Sequence, residues 1–176
     1  MSVQLYKKFQ FFTQQECDDI INYARVQQTE RGRARGDKNK SIRKNRIVWY
    51  RDSKKWKEWI AMFNKIEPVI DWIQNPQISF YSPGEYYDWH IDSTNLSRRT
   101  HIRHFSLTCE LQTAENSIFE IKNHSIEPLS KGEAVIFLSS DLHRVTTPNS
   151  GERISFTIWA MAKNTNKLTD SQSVVK

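Results

Sequence analysis

The sequence predicts a mainly β fold of the α+β class. After Pro76 the chain changes to short runs of β-branched and aromatic residues, separated by turn signals such as Ser82-Pro83-Gly84 and Pro148-Asn149-Ser150-Gly151. Helical spacing of apolar residues is found before Pro76. Strands at this spacing favour a sandwich or barrel, with jelly-roll and cupin-like folds among the candidates and two N-terminal helices packed on one sheet.

The elements before Pro76 follow from local patterns. An aromatic stretch at residues 3–12 predicts a strand, and the capping box Thr13-Gln14-Gln15-Glu16 opens a helix over residues 14–27. Residues 46–50 predict a second strand. Apolar residues then recur at helical spacing from Trp56 to Ile73, in a helix that Pro68 should kink or divide.

The strands expected in the second half occupy residues 77–81, 86–91, 102–111, 117–121, 134–138, 142–147 and 153–161. With 176 residues the chain predicts a single domain over residues 1–162, followed by a polar tail over 163–176. No apolar run follows Met1 and no segment is long enough to cross a bilayer, so we expect no signal peptide and no membrane partner. Cys17 and Cys109 lie far apart and are expected to be free thiols of a cytoplasmic protein.

The positive charge is concentrated in one segment. The net charge of the chain is +6, and residues 30–46 alone carry eight Lys or Arg against two acidic residues. Residues 31–45 contain two glycines and almost no apolar side chain, which predicts a mobile loop. The loop is either a solvated connector or a lid over substrate. A nucleic-acid patch is disfavoured because no aromatic residues are interleaved with the charges.

Candidate metal ligands lie in the stretch Tyr86-Tyr87-Asp88-Trp89-His90-Ile91-Asp92. In a strand His90 and Asp92 point to the same side. Two histidines and one carboxylate on one face of an octahedral metal are the ligands of non-haem Fe(II) oxygenases. His-x-Asp alone is a weak signal, because a hydrogen-bonded surface pair explains it equally well.

His143 is the preferred third ligand. His124 lies in a turn, while His101 and His104 lie among arginines, where a further cation would be repelled. A Pro-Asn-Ser-Gly turn separates the strand of His143 from that of Arg153, so we expect a hairpin that brings Arg153 beside the metal site. An inward-pointing guanidinium requires an anion, and it grips a carboxylate through two hydrogen bonds.

Two faces are expected on the strand that Arg153 opens. Ser155, Thr157 and Trp159 share the face of Arg153, whereas Ile154, Phe156, Ile158 and Ala160 form an apolar face. The first face should therefore line a polar pocket and the second should lie in the core.

Together these residues resemble the Fe(II)- and 2-oxoglutarate-dependent oxygenases, in the branch typified by prolyl 4-hydroxylases. The resemblance rests on His90-x-Asp92, on His143 followed by Val145, and on Gly151-Glu152-Arg153 ahead of the polar strand face. Tyr81-Ser82-Pro83-Gly84 is similar to the Tyr-x-Pro-Gly segment of that branch. The likeness covers roughly residues 77–161, and a looser one includes Ile42-Arg43-Lys44.

The resemblance implies a double-stranded β-helix whose jelly-roll core spans about residues 77–161. It implies that His90, Asp92 and His143 bind Fe(II), and that Arg153, assisted by Thr157 and Tyr81, binds 2-oxoglutarate. It implies that Trp159 lines the substrate side, with O2 as oxidant and ascorbate as an optional addition. The implied reaction couples decarboxylation of 2-oxoglutarate, which yields succinate and CO2, to hydroxylation of a C–H bond.

Two departures from the family pattern concern the loops and the cosubstrate pocket. Asn116-Ser117-Ile118-Phe119 takes the place of a common Gly-Gly pair. Glu110 falls near a position where some relatives use Tyr against the cosubstrate, and an inward Glu would repel a carboxylate. We therefore expect Glu110 to point outward or to pair with a nearby arginine.

The substrate stays open at this stage. A protein or peptide containing proline is preferred, with a lysyl residue, a free amino acid or another small molecule as the alternative. Nucleic-acid demethylation is disfavoured, because that branch places a second Arg six residues after the first, where this chain has Trp159. A non-catalytic cupin-like metal- or ligand-binding module is the alternative from another class. The oligomeric state does not follow from the sequence.

Overall fold

The computed structural model describes residues 3–33, 42–93 and 100–164. The helices are α1 (Gln14–Arg25) and α2 (Trp56–Asn64). The strands are β1 (Phe9–Gln10), β2 (Glu30–Arg31), β3 (Arg43–Lys44), β4 (Arg46–Trp49), β5 (Ile70–Tyr81), β6 (Tyr86–His90), β7 (His101–Gln112), β8 (Phe119–Ile121), β9 (Glu133–Leu138), β10 (His143–Val145) and β11 (Arg153–Lys163).

Two antiparallel sheets form the fold, as predicted. The larger sheet has the strand order β1-β9-β7-β11-β5-β4-β2, and the smaller has the order β3-β6-β10-β8. A cluster that includes Tyr81, Phe119, Phe137 and Val145 packs the inner faces of the two sheets against each other. This is the jelly-roll arrangement expected from the strand spacing.

The main core lies on the other face of the larger sheet. Ile154, Phe156, Ile158 and Ala160 of β11 are fully buried there with the apolar faces of α1 and α2. The predicted apolar face of β11 and the predicted position of the N-terminal helices are therefore confirmed. No helix among the described residues is long and apolar enough to cross a membrane.

The first helix begins where the capping box predicts. The Thr13 hydroxyl accepts a hydrogen bond from the backbone N–H of Glu16, and the Glu16 carboxylate accepts one from the backbone N–H of Thr13. The strand before it is shorter than predicted. Only Phe9–Gln10 pairs with β9, and a single bridge joins Leu5 to Ile136.

The predicted helix from Trp56 to Ile73 was wrong in its second half. The α2 helix ends at Asn64, and β5 begins at Ile70. The Asn64 side chain donates to the Ile70 carbonyl and accepts from its N–H, which fixes the reversal between the two elements. Pro68 lies within this reversal, where the lack of an N–H and the restriction on the preceding residue favour a turn.

The basic segment is more ordered at its ends than a mobile loop would be. Its start forms β2 at the edge of the larger sheet, and its end forms β3 at the edge of the smaller one. Arg43 and Asn45 are buried, and Gly32 packs against both so closely that a Cβ atom would clash with them. Residues 34–41 lie outside the described part of the chain, as do residues 165–176, which contain most of the predicted polar tail.

The predicted hairpin between the strands of His143 and Arg153 was wrong. The β10 strand pairs with β6 and β8 in the smaller sheet, while β11 pairs with β5 and β7 in the larger one. The turn after Pro148 therefore carries the chain from one sheet to the other. His143 and Arg153 approach the interior from opposite sheets, and not from neighbouring strands.

Candidate metal centre and adjoining buried arginine

His90, Asp92 and His143 come together between the two sheets. His143 on β10 lies opposite His90 at the end of β6, and Asp92 follows β6 directly. Each residue offers a ligand atom within 4.8 Å of the others. The Oδ1 atom of Asp92 is 3.8 Å from Nε2 of His90, and its Oδ2 atom is 3.4 Å from Nε2 of His143. The three predicted ligand residues thus share one small volume.

Backbone carbonyl groups fix the orientation of both imidazole rings. Nδ1 of His90 lies 2.7 Å from the Asp88 carbonyl, and Nδ1 of His143 lies 2.9 Å from the Asp141 carbonyl. A carbonyl can only accept, so each Nδ1 carries a proton, and in the neutral form of each ring Nε2 is the nitrogen with the free lone pair. This arrangement is typical of metal-ligating histidines, whose second nitrogen donates to the protein.

A pair of serines holds the Asp92 carboxylate. The Ser106 hydroxyl donates to Oδ2 of Asp92 at 2.7 Å and lies 2.8 Å from the Ser139 hydroxyl. The Ser139 carbonyl also accepts from the backbone N–H of Asp92 at 2.9 Å. Sequence reasoning missed both serines. A signal for Ser106 was present, since Ser106, Thr108 and Glu110 alternate with apolar residues along β7.

The environment keeps His90 neutral and Asp92 ionised. Burial lowers the pKa of His90 to about 3, and the charge of His143 acts in the same direction. Burial acts to raise the pKa of Asp92, but His143, His90 and Arg103 outweigh it and hold that pKa well below its usual range. A neutral imidazole and an ionised carboxylate are the protonation states that a divalent metal requires of such ligands.

Aromatic rings surround the cluster. Tyr87 stacks on His90 with ring centroids 3.3 Å apart, and the Arg43 guanidinium lies 4.3 Å from the Tyr87 ring centroid. Burial raises the pKa of Tyr87 to about 12, so the ring stays neutral. Phe137 contacts His143 edge-on at 4.7 Å. The rings shield the cluster from water on these sides.

Arg153 is fully buried on the inner face of β11, and its side chain donates a hydrogen bond to Glu110. The Nη2 atom of Arg153 lies 2.6 Å from Oε2 of Glu110, and neither side chain is more than 4% exposed. Within the described part of the chain, the Nε and Nη1 atoms of Arg153 and the Oε1 atom of Glu110 have no hydrogen-bond partner. The pairing is one of the two alternatives predicted for Glu110.

A small cavity extends from the three metal-ligand candidates toward Arg153. Its volume is about 30 Å³, close to that of one water molecule. Tyr81, Thr157 and Trp159 line it together with His90, Asp92 and His143. Arg153 itself lies beyond the lining, with its guanidinium 5.6 Å from the Tyr81 ring centroid. A larger ligand can reach Arg153 only if side chains in this region move.

A second, larger cavity of about 1080 Å³ adjoins the small one. The residues common to both are Arg43, Gln77, Tyr87, His90, Asp92 and Trp159. Arg31 and Arg33 of the basic segment line its outer part. On its wall the Arg103 guanidinium lies 3.8 Å from the Trp159 ring centroid. It donates two hydrogen bonds to Oε1, the side-chain amide oxygen of Gln74. The side chains of His90 and Asp92 therefore line both the small cavity and the large, partly basic one.

Comparison with known proteins agrees with this geometry. Residues 76–161 match the family model of the 2OG-Fe(II) oxygenase superfamily. The chain is 34% identical over 101 residues to a PKHD-type hydroxylase of Psychrobacter sp. (strain PRwf-1), in an alignment covering 51% of this chain and 39% of the relative. It is also 26% identical over 108 residues to cytochrome c oxidase subunit 2 of Myxine glutinosa, covering 60% of this chain and 45% of the relative. The chain thus spans less than half the length of the curated relatives it matches.

Solved structures share the fold. The viral collagen prolyl hydroxylase of Paramecium Bursaria Chlorella virus-1 superimposes with a TM-score of 0.71 at 21% identity, covering 89% of this chain and 95% of the other. A prolyl-4-hydroxylase of Pseudomonas putida gives a TM-score of 0.67 at 18% identity, with 90% and 92% coverage. A prolyl hydroxylase from Trichoplax adhaerens, in complex with a hypoxia inducible factor peptide fragment, gives 0.63 at 18% identity, with 94% and 87% coverage.

Proposed function

Residues 76–161 match the 2OG-Fe(II) oxygenase superfamily, and from that match we propose that this chain belongs to the superfamily and is an Fe(II)- and 2-oxoglutarate-dependent hydroxylase. The observation that carries the proposal is the cluster of His90, Asp92 and His143, whose ligand atoms all lie within 4.8 Å of one another. Two imidazoles, of which that of His90 is neutral, and an ionised carboxylate suit a divalent metal. In the proposal these three residues hold Fe(II), with positions left open for other ligands.

Arg153 is proposed to bind the distal carboxylate of 2-oxoglutarate. The fit is supported by its two unpartnered buried nitrogens, since an orphaned buried donor is costly and a carboxylate would satisfy it. Thr157 and Tyr81 line the chamber between Arg153 and the metal-ligand candidates, so their hydroxyl groups are proposed to assist. The small volume of the chamber means that cosubstrate binding requires a shift of side chains.

When bound, Fe(II) supplies the activation of O2 that couples decarboxylation of 2-oxoglutarate, with release of succinate and CO2, to hydroxylation of a C–H bond. The protein's part is to hold the reactants and exclude water. Ser106 and the two backbone carbonyls orient the metal ligands, while Tyr87 and Phe137 cover the imidazoles. Ascorbate, where it acts, would serve the upkeep of the metal and not the positioning of substrate.

The proposed substrate is a peptide or protein containing proline. Support comes from the large cavity of about 1080 Å³, which is lined by three indole rings and four guanidinium groups. The Trichoplax relative is described with a bound peptide fragment. A lysyl residue, a free amino acid or another small molecule is the alternative substrate. Nucleic acid is disfavoured, because Trp159 and not a second arginine lies six residues beyond Arg153.

A non-catalytic metal- or ligand-binding module is the competing function. It would account for the metal cluster but would not need a fully buried arginine with unpartnered donors. Location in the cytoplasm stays a prediction, and it is supported by Cys17 and Cys109, which are both buried and free.

The test is a succinate-release assay with Fe(II), 2-oxoglutarate and O2. Proline-containing peptides, free amino acids and methylated DNA are compared as substrates, and Asp92→Ala serves as the metal-site control. Substrate-dependent succinate formation by the wild type alone supports the proposed chemistry. Stoichiometric metal binding without any turnover of 2-oxoglutarate, coupled or uncoupled, would support the non-catalytic module.

A further inference from the structure

Glu110 places a carboxylate against Arg153, at the position where the proposed function requires a carboxylate of 2-oxoglutarate. Its carboxylate lies on the inner face of β7 and contacts the Arg153 guanidinium at 2.6 Å. Both side chains are buried, so their charges are compensated by each other and not by water. The Arg153–Glu110 pair is neutral as it stands, and a second carboxylate would leave one negative charge uncompensated.

Among the described residues, no other charged side chain faces the Glu110 carboxyl. On β5 the nearest titratable group is Tyr81, whose ring lies against Arg153. Cys109 precedes Glu110 on β7 but points into the main core. On β9 the Glu133 carboxylate is bound to Lys8 and to the backbone of Ser130. Phe119 and Val145 of the smaller sheet belong to the apolar cluster between the sheets and carry no charge.

From this arrangement, and on the basis of the proposed function, we propose that Glu110 takes up one proton when 2-oxoglutarate binds. Two carboxylates that share one buried guanidinium cannot both remain ionised, because their mutual repulsion is not screened by water. The proton comes from solvent and binds to a carboxyl oxygen of Glu110. No bond to carbon is made or broken, and the site returns to the net charge it had before the ligand carboxylate entered.

The neutral acid also satisfies the groups that the pair leaves without partners. A protonated Glu110 gains one O–H donor, which a bound carboxylate can accept. Arg153 has five N–H groups, and those on Nε and Nη1 become available to the same ligand. Glu110 therefore acts as a positioning and proton-carrying residue for the cosubstrate, whereas an ionised Glu110 competes with it for Arg153.

The protonation equilibrium of Glu110 supports this assignment. Burial raises the pKa of Glu110 to about 7, against the opposing effect of Arg153, so the proton is accessible near neutral pH. Binding that needs the protonated form is independent of pH below this value. Above it, the affinity for 2-oxoglutarate should fall about tenfold per pH unit until the higher pKa of the complex is reached.

The experiment is isothermal titration of 2-oxoglutarate into the full chain loaded with Mn(II), between about pH 6 and about pH 9. Each pH is measured in two buffers of different ionisation enthalpy, which gives the number of protons taken up. The wild type should take up about one proton per ligand at about pH 8. Glu110→Gln, a neutral side chain of the same shape, should bind without proton uptake and without the decline at high pH.

The matched control is Glu133→Gln, which removes a carboxyl from the neighbouring strand β9 and should leave the wild-type profile unchanged. If Glu110→Gln does not fold, the proton count and pH profile of the wild type decide the question. Binding of 2-oxoglutarate with no proton uptake and a flat pH profile would overturn the role of Glu110 but leave the hydroxylase proposal intact. No binding at any pH by a metal-loaded protein would overturn both.

Discussion

His143 lies directly across the β6–β10 pair from His90, and their ring centroids are 4.1 Å apart. The register of one short strand pair thus brings together two residues that are far apart in the sequence. Each ring is held by a hydrogen bond to the carbonyl two residues before it. The site is therefore organised by backbone geometry before any metal binds, which keeps the ordering cost of binding low.

Replacement of His143 by alanine should abolish metal binding while the fold survives. Loss of an outer-shell partner already costs about 10- to 100-fold in metal affinity, so loss of a ligand should cost more than about 100-fold. The measurement is titration with Fe(II) under anaerobic conditions, with thermal unfolding as the check on folding. His101→Ala is the matched control, because His101 lies near Asp71 and away from the cluster. Stoichiometric Fe(II) in the His143 variant would mean that another residue completes the site.

Ser106→Ala should weaken metal binding without abolishing it. The serine hydroxyl donates to Oδ2 of Asp92, and its removal leaves the carboxylate less well oriented. We expect the affinity for Mn(II) to fall about 10-fold, at the lower end of effects seen for outer partners of metal ligands. Ser117→Ala is the control, since that buried hydroxyl donates to the Thr146 carbonyl, away from the metal-ligand candidates. Equal affinities in the two variants would assign Ser106 to folding alone.

The site was readable from the sequence to the extent that it depends on alternation and motif spacing. His90, Asp92, His143 and Arg153 could be chosen because strands present alternate residues to one face, and the polar face of β11 followed from the same rule. How these four residues come together in space could not be derived from the sequence. The wrong hairpin arose because a Pro-Asn-Ser-Gly turn indicates a reversal but does not say whether the chain stays in the same sheet.

Long-range contacts account for the other differences between the sequence-based predictions and the structure. Ser139 supports Asp92 through a loop contact that no local pattern encodes. Residues 70–73 have helical spacing, yet they pair with β11 because that strand offers hydrogen bonds and apolar area that a helix after Pro68 would lack. Pro76 is accommodated within β5 where the register with β11 shifts between Thr157 and Trp159. Tertiary pairing outweighs local propensity at these positions.

Arg153→Ala should remove 2-oxoglutarate binding and turnover but leave metal binding intact. The change deletes the carboxylate clamp and touches none of the three ligand candidates. Loss of a buried charged hydrogen-bond partner costs about 2–5 kcal/mol, so the affinity for 2-oxoglutarate should fall by about 30-fold or more. Titration of Mn(II) and then of 2-oxoglutarate separates the two effects.

A second variant is needed beside Arg153→Ala, because truncation of Arg153 leaves the Glu110 carboxylate buried without its partner. Arg153→Ala combined with Glu110→Gln removes both charges and should fold more stably than the single variant. Glu110→Gln alone is the control and retains the clamp. Unchanged 2-oxoglutarate affinity in the double variant would show that the cosubstrate carboxylate is bound elsewhere.

Neutralising the basic segment should raise KM for an acidic peptide with little change in kcat. Arg31 and Arg33 line the outer part of the large cavity, away from the metal-ligand candidates, and Arg35 lies outside the described residues. An exposed charge is typically worth about 0.2–1 kcal/mol, so replacing all three by Gln should raise KM by a factor between about 3 and about 150. The effect should shrink with added salt, because screening weakens attraction between exposed charges.

Replacing Lys57 and Lys65 at α2 by Gln lowers the net charge away from this cavity and serves as the control. If KM is unmoved by the arginine changes at low salt, the basic segment is a connector between the two sheets and not part of the substrate site.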